Sequence, residues 1–415
     1  MIMTLRQDAD YIIKESLHKV LPDEAVAEAL RTKDFGSTDK GRIYVVATGK
    51  AAWQMAKAAA DILGDKITAG VCCTKYDHVK GEIPHITCYE GAHPVPDSNS
   101  YKATQAALDL VSDLNAEDTV LFLLSGGGSA LFEKPLIPEE EMADVTKQLL
   151  ASGADIVEMN IIRKRLSSVK GGRFALVCEP AKVFSIVLSD ILGDPLDMIA
   201  SGPAYPDNST SEEAYEIVKK YGLKLSDEAM RLLGEETPKE LKNVETMITG
   251  SVRNLCKAAE EAASSLGYEP IFLTDQLCCQ AKEAGSFLAS IAKSYQGSEK
   301  SLAFIAGGET VVQITGKGKG GRNQEIALSA ADGISGLKET AVFSLGSDGT
   351  DGPTDAAGGY ADQDTAGKLS KDGISIFQVL RDNDAYTALK KTDGLIFTGA
   401  TGTNVNDVSV LLIKR

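Results

Sequence analysis

No run of about 18 consecutive apolar residues occurs in the 415-residue chain, so nothing in it reads as a membrane-spanning helix. Cysteine is scarce and poorly arranged. The seven stand at 72, 73, 88, 178, 256, 278 and 279, an odd number with no CxxC pair and two vicinal pairs that rarely bridge, so a reduced compartment fits. Positive charge is also short. A formal net charge of -16 repels phosphate backbones, and no basic cluster interrupts it strongly enough to make a nucleic-acid surface. The first 25 residues mix charge with helical apolar spacing and lack a signal-peptide core. Internal repeats, low-complexity tracts and a GxxxxGK[ST] phosphate loop are all missing. These absences leave a cytoplasmic enzyme or binding protein for small molecules, with no membrane or nucleic-acid partner and an association state left open.

What is present alternates. Apolar β-rich runs at 42–48 (RIYVVAT), 68–74 (TAGVCCT), 119–125 (TVLFLLS) and 182–190 (KVFSIVLSD) are separated by helical patterns at 50–63, 100–114 and 139–152. Near-continuous apolar strands of this kind belong to a parallel sheet covered on both faces, which predicts a Rossmann-like, doubly wound α/β domain. The polar segment 234–243 contains Pro238 and suggests a boundary, giving domains 1–238 and 239–415. The second, smaller α/β domain is expected to hold a mixed sheet: TMITG at 246–250, PIFLTD, a hairpin turning at Gly307-Gly308-Glu309, and strands in AVFSLG, GLIFTG and VSVLLIKR.

Ligands of open α/β sheets bind beyond the carboxyl ends of the strands, which directs attention to the loops after each apolar run. At 48–51, Gly49 ends a strand and Lys50 opens an Ala-rich helix, where a phosphate is favoured; a tight βα turn with a solvated lysine explains the pattern equally well. The loop Ser125, Gly126, Gly127, Gly128, Ser129 supplies unhindered amides for an anion, or else a structural turn. Asp190 and Asp194 follow the strand at 182–190 and suit Mg²⁺ ligation, proton abstraction or simple turn formation. At 316–323, Lys317, Lys319 and Arg322 sit in a glycine-rich frame before a helix. Its formal GxGxxG match lacks the strand context of a dinucleotide fingerprint, and two lysines suit a nucleotide polyphosphate. Asp348, Asp351 and Asp355 cluster after another strand and could position metal or substrate, or be an acidic surface turn. Asn160, Lys164 and Ser167 share one polar face of a helix predicted at 155–171, a face that would ordinarily be solvated.

Taken in order, ATGKAA, EGAHPVPD, LLSGGGSALF, MNIIRKRLSSVKGGR, SDILGDPLDMIASGP, GGETVVQITGKGKGGRNQE, GSDGTDGPTDAAG and TGTNVNDV resemble the glycerate 2-kinase family, also called the MOFRL family. The resemblance runs from about residue 8 to the C-terminus; TGATGTNVND departs from it only where Gly-Pro would be expected. It implies transfer of a phosphoryl group from ATP, with Mg²⁺, to the 2-hydroxyl of D-glycerate, in a cleft between the two domains. It also implies a catalytic pair, Lys50 and Arg322, with Asp190 in the catalytic set. The Ser125–Ser129 loop, Asn160 and Lys164 would bind substrate or phosphate, Lys317, Lys319, Glu309 and Asn404 the nucleotide, and Asp194, Asp348 and Asp351 the metal. A hydroxypyruvate oxidoreductase is the first competing reading, and a non-catalytic nucleotide-binding regulator the second. The four histidines are uninformative, and His93 alone falls in a family motif.

Overall fold

The computed structural model describes residues 3–33 and 41–415. The chain divides into two units. One comprises Ala25–Leu188 and Asp194–Thr249; the other gathers the opening segment through Glu24, Ser189–Gly193 and Gly250–Arg415.

The first unit is built on a sheet of β1 (Ile43–Thr48), β2 (Ile67–Lys75), β3 (Ile86–Gly91), β4 (Thr119–Leu124), β5 (Lys182–Leu188) and β6 (Val244–Gly250), in the order β3-β2-β1-β4-β5-β6. The pairings from β3 through β5 are parallel. Every residue of β1 is buried, which is why its sequence is apolar throughout instead of alternating. The Ala-rich helix Ala52–Leu63 packs against it with Met55, Ala56 and Ala59 fully enclosed. Small side chains there let the helix approach the sheet closely. The order changes direction at β1 and β4, the switch point where ligands of such sheets bind.

The second unit carries β7 (Glu269–Leu277), β8 (Leu302–Gly308), β9 (Thr340–Gly346), β10 (Gly358–Asp362), β11 (Leu395–Ile396) and β12 (Asp407–Ile413), in the order β11-β10-β9-β12-β8-β7. Only β7 and β8 run parallel; the other pairings are antiparallel, so the expected mixed sheet is present. Helices Leu5–Lys19 and Val252–Ser265 cover one face, and Ala281–Ser294 and Arg322–Gly333 cover the other.

Three expectations change. The expected hairpin after β8 does not form, because β8 already has β7 on one side and β12 on the other. Residues 309–314 leave the sheet, held to the end of β7 by Glu309 N donating to Leu277 O at 2.8 Å and beyond it by an isolated bridge between Val311 and Gln280. The division near residue 238 also differs: β6 completes the first sheet beside β5, and the opening helix belongs to the second unit. That helix is anchored by its buried Asp8, which accepts hydrogen bonds from Tyr268 Oη at 2.6 Å and Lys414 Nζ at 2.7 Å. Finally, the helix predicted at 155–171 stops at Arg165. It is capped by Asp155 and Glu158, which bond reciprocally to each other's backbone amides.

Candidate active site

In the first unit the loops after β1 and β4 are interlocked. Gly49 has φ +117°, and a β-carbon placed on it would lie 2.3 Å from Ser125 Oγ, so only glycine fits. Lys50 N donates to Gly126 O at 2.9 Å, and Ala51 N donates to Ser125 Oγ at 3.0 Å. Ser125 is thus a fastener between two loops, with its side chain already committed. Gly127, at φ +86°, caps a four-residue helix Gly128–Leu131. The Lys50 side chain reaches over Gly127 and forms no ion pair among the described residues.

Behind this loop lies a buried charged cluster. Lys170 is wholly enclosed, donating to Ser129 O at 2.9 Å and Phe132 O at 3.2 Å and facing Glu133 at 3.4 Å. Burial pushes its ammonium down to about 8, against the pull of Glu133. Arg163 also donates to Ser129 O, at 3.2 Å. The polar helix face expected to be solvated is enclosed instead. Lys164 pairs with Asp207 at 3.2 Å and Asp197 at 3.3 Å, Asn160 accepts from Ser201 Oγ at 3.0 Å, and Ser167 donates to Glu133 at 2.6 Å. Lys164 and Asn160 therefore hold the segment 197–207 in place. That segment and the turn before it are strained: Ala200 and Ser201 within it and Asp194 ahead of it all have left-handed φ near +50 to +62°, a backbone state concentrated at functional sites. Asp194 Oδ1 is buried with no hydrogen-bond partner.

In the second unit the centre is Arg322, first residue of the helix Arg322–Gly333. A cation is disfavoured at a helix start, and the structure supplies the compensation. Arg322 grips Asp407 with Nε at 2.5 Å and Nη2 at 3.0 Å, while Nη1 donates to Glu309 at 2.9 Å. Burial raises the pKa of Asp407 above the usual carboxylate range, even with Arg322 beside it. Burial lowers and the two carboxylates raise the pKa of Arg322, which stays charged. Glu309, expected at the nucleotide, is thereby occupied by Arg322 and by Asn406 Nδ2 at 3.3 Å.

Asp351 is also committed. Its carboxylate accepts the backbone amides of Asn323 at 3.1 Å and Gln324 at 2.9 Å, capping the same helix from another loop. Burial pushes it up to about 6. Both of its carboxylate oxygens, expected at a metal, are thus engaged in capping the helix. Asp348 is half-buried and accepts from Thr350 N. Lys317 and Lys319 are exposed, their loop tethered by Asn383 Oδ1 to the amides of Thr315 and Gly316, and by Asp384 Oδ1 to the amide of Lys319. Asn404 is exposed as well, and Asp190 is half-buried just after β5.

A family model described as a domain of unknown function (DUF4147) matches residues 8–234, and the MOFRL family model matches 302–407. A D-glycerate 2-kinase of Thermotoga maritima is 51% identical over 99% of both chains. The crystal structure of a glycerate kinase from the same organism superposes with a TM-score of 0.93, at 51% identity over 99% of each chain. The chain belongs to the glycerate 2-kinase (MOFRL) family. Its members include a protein of Agrobacterium vitis named putative hydroxypyruvate reductase, 38% identical over 90% of this chain and all of that one. Membership makes the protein a glycerate kinase, a phosphotransferase with an alcohol acceptor.

Kinases of this chemistry bring their metal in with the phosphates, holding it by one or two carboxylates and not by a protein cage. Among the described residues, no group of three or more His, Cys, Asp or Glu side chains is placed to hold a metal ion alone. The unpartnered, buried Asp194 Oδ1 fits such a shared role. Sequence reasoning passed over Lys170, Arg163, Glu133 and Asp207. The available signal was the basic run in MNIIRKRLSSVKGGR, conspicuous in a chain of net charge -16.

Proposed function

We propose that the protein transfers the terminal phosphoryl group of ATP to the 2-hydroxyl of D-glycerate, releasing 2-phosphoglycerate and ADP. In this reading a bond forms between the C2 oxygen and phosphorus, the bond from phosphorus to the ADP oxygen breaks, and the hydroxyl proton passes to Asp190. A loose phosphoryl-transfer transition state needs positioning and cationic stabilisation more than covalent help. Lys50 neutralises charge over the Ser125–Ser129 loop, while Arg322, fixed by its double contact with Asp407, offers an oriented guanidinium to the same turnover. Lys317 and Lys319 attend the polyphosphate. Magnesium, when bound, neutralises the phosphate oxygens, and Asp194 would hold it, with Asp348 the other open carboxylate. Asn160 and Lys164 act indirectly, by fixing the strained segment beside Asp194.

The observation that carries this reading is an unpaired Lys50 poised over Gly127 in a chain otherwise rich in negative charge. The test couples turnover of ATP, Mg²⁺ and D-glycerate to purified enolase without mutase, so that only 2-phosphoglycerate gives phosphoenolpyruvate. The wild-type protein should give the signal, and K50A should lose it. ADP released without the enolase signal would place the phosphoryl group elsewhere. The name carried by the Agrobacterium relative keeps a reductase in view. Oxidation of NADH or NADPH by hydroxypyruvate, with no ADP release from glycerate, would put that reading first.

A further inference from the structure

We propose that His93 binds the hydroxy-acid substrate directly, donating a hydrogen bond from its imidazole to the acid beside Lys50 and the Ser125–Ser129 loop. The inference rests on the glycerate kinase reading above and assigns one of the two ligands to this loop.

The geometry comes from Gly127. A β-carbon placed there would lie 3.1 Å from His93 Cδ2, 3.3 Å from His93 Nε2 and 3.1 Å from Lys50 Cγ. The Nε2 edge of the imidazole and the stem of Lys50 thus approach the same glycine, where any side chain would crowd both and hold a strained left-handed φ of +86°. His93 is held there from both sides. It follows β3, and four residues later Asp97 caps the helix Ser98–Val111 through Ser100 N at 3.0 Å, while Tyr76 Oη donates to Asp97 at 2.6 Å. Yet neither ring nitrogen of His93 has a hydrogen-bond partner among the described residues, so a positioned donor and acceptor is left without work inside the fold. Burial, then Lys50 and Lys75, lowers its pKa and favours the neutral ring.

A neutral imidazole beside the unpaired Lys50, with Lys75 as the only other cation acting on the ring among the described residues, offers a modest positive field and one directional hydrogen bond. That set matches a small acid with one carboxylate and a neighbouring hydroxyl. A polyphosphate carries several charges and is better served by the cations of the Lys317–Arg322 loop.

The experiment measures KM for D-glycerate and for ATP separately in wild type, H93A and H93N. Loss of one neutral hydrogen bond predicts a roughly tenfold rise in KM for D-glycerate in H93A. The KM for ATP should stay within about twofold, and H93N, whose amide still donates, should recover part of the effect. An unchanged KM for D-glycerate in a folded H93A overturns the proposal, as does a shift confined to ATP. Should H93A fail to fold, the same comparison is read from H93F, whose ring cannot donate a hydrogen bond, where a KM for D-glycerate equal to wild type overturns it. If the wild-type protein does not turn over D-glycerate, the proposed function itself fails. Calorimetric binding of D-glycerate to wild type and H93A then decides this residue alone: weaker binding by H93A supports the proposal, and equal binding overturns it.

Discussion

Removing Arg322 should damage the protein in two separable ways. Asp407 is almost wholly enclosed and its pKa is already raised by burial, so R322A leaves a carboxylate with its main partner gone. Breaking a fully buried pair costs about 3 to 5 kcal/mol; with the Arg322 side chain 32% exposed, water can reach the vacated place and about 2 kcal/mol is expected. The catalytic loss is a different quantity. Withdrawing one oriented donor from a developing phosphoryl charge costs roughly 2 to 4 kcal/mol, which at 1.36 kcal/mol per decade is a fall in kcat/KM of about 30- to 1000-fold. The double variant R322A/D407N separates the two. Asparagine at 407 removes the stranded charge, so stability measured by urea unfolding should return most of the way to wild type, while coupled turnover stays as low as in R322A. If turnover in the double variant comes back to within a few fold of wild type, Arg322 serves only to neutralise Asp407, and the catalytic assignment is wrong.

Three further outcomes follow from the same structure. G49A places a side chain in a left-handed conformation against Ser125 and should cost at least about 2 kcal/mol in chemical denaturation, together with turnover, because it separates the two interlocked loops. K170M removes the nearest cation from buried Glu133 and a donor from Ser129 O and Phe132 O, so about 3 to 5 kcal/mol of stability should disappear; unchanged unfolding would show the cluster to be dispensable. Asp351 gives a pH signature. Its folded pKa is raised from 3.8 to about 6, so the native state holds this proton longer than the unfolded chain. Its stabilising contribution is complete below about 3.8 and is lost as pH rises through about 6, a fall of about 3 kcal/mol at 1.36 kcal/mol per unit. D351N cannot show that fall, so the stability difference between wild type and D351N should shift by about 2.4 kcal/mol between pH 4 and 7. A constant difference would refute the assignment.

The parallel sheet and its loops were legible because burial on both faces writes itself into sequence as unbroken apolar runs, and because the loops after those runs need glycine. β1 and β4 are of this kind. Where the signal was weak the cause is visible. β10 opens with Gly358 and Gly359, and a β-carbon at Gly358 would lie 2.0 Å from Ser344 O, so close backbone packing removed the residues that mark a strand. The polar face of the helix Ile156–Arg165 looks solvated in one dimension, because its partners Asp207, Ser201 and Glu133 are contributed by distant segments. The opening helix was misplaced for the same reason, its anchors being Tyr268 and Lys414. Composition and periodicity report which face is buried, not against what.

That distinction also explains why the basic residues of the loops were legible as a group but not as individuals. In an acidic chain every cation near a glycine-rich loop looks available to a ligand, yet several are already spent within the fold. Lys164 faces Asp197 and Asp207, Lys170 faces Glu133, and Arg322 faces Asp407 and Glu309. A cation so paired contributes little net attraction for an anion, since its field is cancelled locally; what it retains is direction, fixed donors that need no reorganisation as charge develops. Lys50 is in the opposite condition, with no carboxylate partner among the described residues and a flexible stem beside Gly127. Net attraction must come from such an unpaired charge. In the proposed reaction the two residues would divide the electrostatic work, Lys50 drawing the anion in and Arg322 offering fixed donors to the transition state, so neither would replace the other.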